Sequence, residues 1–392
     1  MAMPDREPRG NTGEQAISTE ISYNSRSFFG SPTLLMRRLA LIVSIALLLI
    51  RPPAVAQGLV YDLFAEYLEP LRTQAGIPGM AAAIVGPDRI VWERAYGWQD
   101  IAASIATRLD TPFHVDGLTQ VFTAALALRC VEERQLYLDE SNGPVIPSPA
   151  EPGATIRQLL THTSGLPGDL IFMYRPQRLD AMKSSIRACT DDSYRETVAN
   201  LLARFAMTNS VPGADIVNVK PGDEGVPSET DKERYREVLA RLAVPYAIDA
   251  RGRASISQYS SMTLTPSSGL ITTVRDFANF DAALKDGSSI VHAETLAEAW
   301  RAPVGRGGQP LPHGMGWFVQ TYNGETVVWQ FGVNLGGSSL LITVPSRGLT
   351  LILLANSDRL VKPLPLTDGD VTVSPFAKLF LSLFVRQGAG GV

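Results

Sequence analysis

The sequence predicts an α+β fold: one antiparallel sheet, built from strands near both ends of the mature chain and flanked by helices, with a helical lobe inserted between the sheet segments. Apolar runs with hairpin punctuation occur early and again late. Helical periodicity dominates the middle, about residues 111–303, and a last apolar helix pattern, Pro375–Val385, is placed to cover a sheet face. With 392 residues, 45% hydrophobic and 19% charged, the chain can bury a large core and lacks the composition of a disordered protein.

The elements follow in order. Arg37-Arg38 precede the apolar run Leu39–Ile50, and Pro52-Pro53 and Ala54-Val55-Ala56 come after it, which is the pattern of a secretory signal cut after Ala56. A run of about twelve residues falls short of the roughly 20 that cross a bilayer, so residues 57–392 are expected to be periplasmic or secreted, without a stable membrane span. Residues 36–56 then form the signal peptide, and residues 1–35 read as a disordered or untranslated extension before Met36. An uncleaved anchor behind a cytoplasmic extension is the alternative.

From Gln57, apolar residues at Leu59, Leu63, Tyr67 and Leu71 mark a helix that ends at Gly76 and Pro78-Gly79. Met80–Val85 and Ile90–Ala95 read as a strand pair around Gly86-Pro87-Asp88. Helices are expected at Leu118–Glu133, Thr155–Leu160, Leu179–Ala188, Tyr194–Phe205, Lys232–Leu242 and Thr273–Leu284. Between Val211 and Glu229, Pro, Gly and acidic residues accumulate without period and predict a surface loop. After Gly314 come the strand patterns Trp317–Tyr322, Thr326–Phe331, Ser339–Val344 and Leu349–Leu354, separated by short turns rich in glycine.

Composition excludes several function classes. Thirty-five basic and 39 acidic residues give a net charge of −4 without a basic run, which argues against nucleic acid as a partner. The four histidines (His114, His162, His292, His313) show no H-x-H or H-E-x-x-H spacing and there is no C-x-x-C, so neither a metal nor another cofactor is expected. Cys130 and Cys189 fit either a disulfide or two buried thiols.

Three ordered segments carry the functional reading: Thr155-Ile-Arg-Gln-Leu-Leu-Thr-His-Thr-Ser-Gly-Leu-Pro167, Thr111-Pro-Phe-His-Val-Asp-Gly-Leu-Thr-Gln-Val-Phe-Thr-Ala124 and Val327-Val-Trp-Gln-Phe-Gly-Val333. Together they resemble the class C β-lactamase and DD-peptidase branch of the serine penicillin-recognising family, across roughly Leu59 to Leu383. The resemblance implies a β-lactamase/transpeptidase-like fold with a cleft between sheet and helical lobe. It also places Gly117 where relatives carry the nucleophilic Ser of Ser-x-x-Lys, and Gln120 where they carry the Lys.

In that device a Ser at the first helical turn and a Lys one turn on share a proton, while the helix N-terminus stabilises the developing anion. Glycine has no side chain to attack with, and glutamine is neutral and no base. By the same resemblance Gln330 takes the basic position of Lys-Thr-Gly or His-x-Gly, and Tyr174 keeps the Tyr of Tyr-x-Asn while Pro176 replaces its Asn. Gly332 is retained, and the N–H groups of Gly117 and Val333 would form an oxyanion hole. Ser164, His114 and His162 read as structural residues, and Asp116 as a helix N-cap.

The expectation is therefore an exported, catalytically inactive relative that binds a small molecule, peptide, cell-wall fragment or protein in the old cleft. The alternative is an active esterase, amidase or β-lactamase with a relocated nucleophile.

Overall fold

The computed structural model describes residues 53–140, 153–166, 169–220, 225–260, 262–362 and 364–385. The apolar run Leu39–Ile50 and residues 1–35 lie outside these. The chain divides into two units, Met1–Ala56 and Gln57–Val392, and the second holds the sheets and the lobe.

Helix α1 (Pro53–Ala75) opens the described chain and buries Phe64 and Leu68. Strands β1 (Gly79–Val85), β2 (Ile90–Asp100), β3 (Ile105–Ala106) and β4 (Phe113–His114) follow. Helix α2 (Thr119–Glu132) comes next, apolar on nearly every side and buried almost throughout, as such a helix must be. Helix α3 (Ile156–Leu160) starts on a capping box in which Thr155 and Gln158 satisfy each other's backbone N–H groups.

The lobe continues through β5 (Thr163–Ser164), β6 (Ile171–Phe172), α4 (Met182–Thr190), α5 (Tyr194–Arg204), β7 (Val211–Pro212) and α6 (Glu229–Leu239). A small hairpin, β8 (Tyr246–Ile248) with β9 (Ala254–Ile256), precedes β10 (Leu270–Thr272), α7 (Val274–Lys285) and α8 (Ala293–Ala299). The chain then forms β11 (Phe318–Tyr322), β12 (Glu325–Asn334), β13 (Gly337–Val344), β14 (Leu349–Ala355) and α9 (Pro375–Phe384).

The main sheet runs β11-β12-β13-β14-β1-β2-β3, so strands from both ends of the fold meet where β1 pairs with β14. Its central strands are covered on both faces, and their residues alternate between two cores. Ala81, Ala83 and Val85 face the core containing α2 and α7. Met80, Ala82 and Ile84 face the one containing Phe64 of α1 and Phe376 and Phe380 of α9.

Three features differ from the sequence expectation. The helical middle also holds a three-stranded sheet, β4-β10-β7, whose strands are too short to show a period. The stretch expected as a surface loop is partly core, because β7 pairs with β10, and Val211, Ala214 and Ile216 pack with Tyr235 and Val238 of α6. The run Leu179–Ala188 starts as a 3-10 helix, Pro176–Ala181, before becoming α4. Cys130 and Cys189 form a disulfide between α2 and α4, with their Cα atoms 6.0 Å apart.

Candidate functional site

The first shared element of the site is the short 3-10 turn Asp116–Leu118 that leads into α2. It lies against the backbone of β12 with no space between them. A Cβ on Gly332 would stand 2.1 Å from the Val115 carbonyl oxygen and 2.7 Å from the Gly117 nitrogen, so only glycine permits the approach. The reverse holds as well: a Cβ on Gly117 would stand 2.5 Å from the Phe331 carbonyl oxygen and 3.2 Å from the Gly332 Cα. The position that the sequence aligns with a nucleophile has no room for a side chain. Ser339 of β13 fastens the contact by donating its hydroxyl to the Val115 carbonyl at 2.7 Å.

Gln120 of α2, Gln330 of β12 and residues of the connecting segments around His162, Tyr174 and His313 join in one hydrogen-bonded chain. The backbone N–H of Arg175 donates to Nδ1 of His162 at 3.4 Å, so the ring's proton sits on Nε2, which donates to Oε1 of Gln120 at 3.1 Å. Nε2 of Gln120 donates to the Gly117 carbonyl (3.1 Å) and to the Tyr174 hydroxyl (2.9 Å). The Tyr174 hydroxyl donates to Oε1 of Gln330 at 3.2 Å. Nε2 of Gln330 donates to the Gly316 carbonyl (3.2 Å) and to Nε2 of His313 (3.3 Å), and Nδ1 of His313 donates to the Gly314 carbonyl at 2.6 Å. Every member is neutral, and each amide hydrogen bond fixes the orientation of the next.

Electrostatics keep the chain neutral. Burial holds the His162 imidazole well below its ordinary range, helped by the neighbouring His313 and by Arg178. Burial likewise lowers His313 to about 3. The Tyr174 hydroxyl is pushed upward by burial, against the favourable hydrogen bond from Gln120. Near neutral pH both imidazoles are uncharged and weak as bases, and Tyr174 is not a phenolate.

Sequence reasoning placed Gln120, Tyr174 and Gln330 in one site, and they touch directly. It took His162 as a structural residue but missed that His162 and His313 close the two ends of this chain. Their rings stand 4.7 Å apart, a proximity that residues so distant in sequence could not announce.

Asp116 departs from its expected role. It makes no capping hydrogen bond to the turn it starts. Its backbone is left-handed, φ +46, a conformation aspartate tolerates better than most residues. Burial raises its carboxyl to about 7, and only the facing N–H of Val333 favours the charged form. The Val333 N–H, one of two expected oxyanion donors, therefore faces a carboxyl group of the protein itself.

Asp116, Gly117, Tyr174, Pro176, Phe331 and Val333 line part of a cavity of about 610 Å³, with Asp180 and the hydroxyls of Ser260, Thr265, Ser267 and Ser268 on the other walls. Among the described residues that line it there is no Lys, Arg or His. Among the described residues no cluster of His, Cys, Asp and Glu could hold a metal ion.

A two-lobed fold of this topology, with a cleft between the turn before α2 and strand β12, is β-lactamase/transpeptidase-like. The chain belongs to the Beta-lactamase family, whose model matches residues 64–369. It is 24% identical over 350 residues to penicillin-binding protein 4 of Amycolatopsis lactamdurans, covering 81% of this chain and 88% of that one. It is 23% identical over 331 residues to unguisins hydrolase ungD' of Aspergillus campestris (strain IBT 28561), covering 75% of this chain but only 61% of that protein. Among solved structures, the octameric penicillin-binding protein homologue from Pyrococcus abyssi superposes with a TM-score of 0.63 at 18% identity, covering 76% of this chain and 74% of that one. At that identity the superposition carries the fold alone.

Proposed function

We propose that this member of the family is an exported binding protein that performs no acyl transfer, with its ligand seated in the cavity beside Asp116 and Gly117. One observation carries the reading: Gly117 is packed against Phe331 so closely that the nucleophile's position admits no side chain. The neutral chain Gln120–Tyr174–Gln330 beside it supplies neither base nor cation. In a comparable serine hydrolase, loss of the nucleophile costs on the order of 10⁶ in rate, or roughly 8 kcal/mol.

Export, with cleavage after Ala56, rests on the signal pattern Arg37–Ala56 and is supported by the Cys130–Cys189 disulfide, which suits an oxidising compartment. The ligand class is a small molecule, a peptide or a cell-wall fragment.

A relocated nucleophile has poor candidates. The cavity's hydroxyls have no Lys or His among the lining residues to deprotonate them. Asp116 could attack only while its carboxyl faces the N–H that would have to stabilise the resulting oxyanion. Intact-mass analysis of purified protein after incubation with a fluorescent penicillin and with a fluorophosphonate tests this reading. Unmodified mass is expected with both reagents; a stoichiometric adduct on any residue overturns it.

A further inference from the structure

Charge in the cleft is distributed in a way that bears on what it binds. Two carboxylates, Asp116 and Asp180, line the cavity, and no cationic side chain does among the described residues. Asp180 is partly engaged, accepting the backbone N–H of Ser267 at 3.1 Å. Asp116 is different, since no Lys, Arg or His among the described residues pairs with it. An ionised carboxyl has about four acceptor sites, and the facing Val333 N–H leaves most of them open. A half-buried carboxyl that lacks a counter-charge and opens on a cavity calls for a donor from outside.

The walls beside it are aromatic. Phe331 and Tyr174 both line the cavity, and their ring centroids are 5.4 Å apart. Aromatic rings in a cavity wall attract cations and exclude water, which strengthens an ion pair formed beside them. An anionic ligand would meet the opposite: two carboxylates, no cation, and an oxyanion donor already facing Asp116.

We infer that the cleft takes an ammonium-bearing ligand, an amine whose cationic nitrogen pairs with Asp116 and whose apolar body lies along Phe331 and Tyr174. This deepens the reading of the cleft as a binding site and rests on it. The left-handed backbone of Asp116 agrees with the assignment, because such conformations carry a cost of about 1 kcal/mol or more and concentrate where a side chain is aimed at a ligand.

The test is a charge-matched series on the full chain near pH 8, where both Asp116 and the amine are ionised: benzylamine, benzyl alcohol and benzoate, titrated by NMR chemical-shift perturbation. Benzylamine is expected to bind about tenfold or more tighter than the alcohol, with benzoate weakest. Asp116→Asn should remove that preference, bringing benzylamine to about the affinity of benzyl alcohol. Asparagine keeps the size, the acceptor for Val333 N–H and the tolerance for left-handed backbone, and an unaltered melting transition near pH 5 checks its fold.

Equal binding of the three probes, tighter binding of benzoate, no detectable benzylamine binding, or an unchanged preference in the asparagine variant would each overturn the inference. These outcomes are read without covalent chemistry. A penicillin or fluorophosphonate adduct would therefore sink the non-catalytic reading while leaving the amine comparison to stand or fall separately.

Discussion

Replacing Gly117 by alanine separates a merely absent side chain from a forbidden one. The backbone there is not left-handed, and the residue sits in a 3-10 turn, so alanine should be conformationally acceptable. On backbone grounds alone the change would stabilise the protein by about 0.4–1 kcal/mol, through reduced freedom of the unfolded chain. The contact with β12 reverses the sign. The new Cβ would lie 2.5 Å from the Phe331 carbonyl oxygen, whereas ordinary contact begins at 3.4 Å, so the strand or the turn must retreat by close to an ångström.

Neither yields readily. Phe331 and Gly332 are paired with Leu340 and Ser339 of β13, and Ser339 is tied to Val115 just before the turn. Forced insertion of this kind costs about 1–3 kcal/mol, which leaves a net loss of up to about 2.5 kcal/mol. For a domain of this size that is a fall of up to roughly 4 °C in melting temperature. The control is Gly58→Ala on the exposed side of α1, where a Cβ meets nothing within 4 Å; it should be neutral or stabilising. Thermal melts followed by circular dichroism decide the matter. A Gly117→Ala protein that melts at or above the parent would refute the claim that the nucleophile position is closed. The same geometry predicts that Gly117→Ser with Gln120→Lys restores no acylation, since the serine needs that Cβ and the lysine would enter a buried, neutral network.

Two further predictions concern the groups around it. The folded Asp116 carboxyl, at about 7, lies above its unfolded value of about 4, so the folded chain binds the extra proton in that window and stability falls as pH rises through it. Asp276 and Asp281, also raised by burial, act in the same sense, while the depressed His162 and His313 lose stability as pH falls through about 6.5. Tyr174, the titratable neighbour across the cleft, is raised and stays neutral throughout this range. The difference between parent and Asp116→Asn isolates the one group: Asp116→Asn should melt higher near pH 8 and alike near pH 5, and a constant difference would contradict the assignment. Tyr174→Phe should cost only about 1 kcal/mol in urea unfolding, because Gln120 keeps the Gly117 carbonyl and Gln330 keeps the Phe331 N–H. A loss above about 3 kcal/mol would mean that the network depends on the tyrosine far more than its geometry allows.

The long periodic segments were legible in sequence because burial imposes their period. Leu349–Leu354 and Ser339–Val344 are strands within one or two residues of expectation, and the helix expected at Leu118–Glu133 is α2. Boundaries drifted where side chains rather than apolar period decide them: Ser228 caps α6 and starts it before Lys232. Two-residue strands such as β4 and β7 carry no period and were invisible. In the site, Gly117 and Gln120 could be read directly as the residues at the positions the resemblance assigns to Ser and Lys, since residue type needs no geometry. The placement of His313 and the turning of Asp116 toward Val333 depend on contacts between distant segments. The close approach of Gly117 to β12 likewise left only a glycine in the sequence, and glycine serves turns and helix ends just as often as close backbone contacts.

The neighbours of β1 set an order in time. One edge of Gly79–Val85 is satisfied by β2, which is synthesised next, but the other waits for β14, among the last strands made. Until Leu349–Ala355 arrives, a short run of alanine, isoleucine and valine keeps an unpaired edge in the middle of the unfinished sheet. Such an edge is a template for wrong partners. Chains truncated before residue 349 should therefore be lost to aggregation instead of accumulating as a folded fragment, however complete their helical lobe.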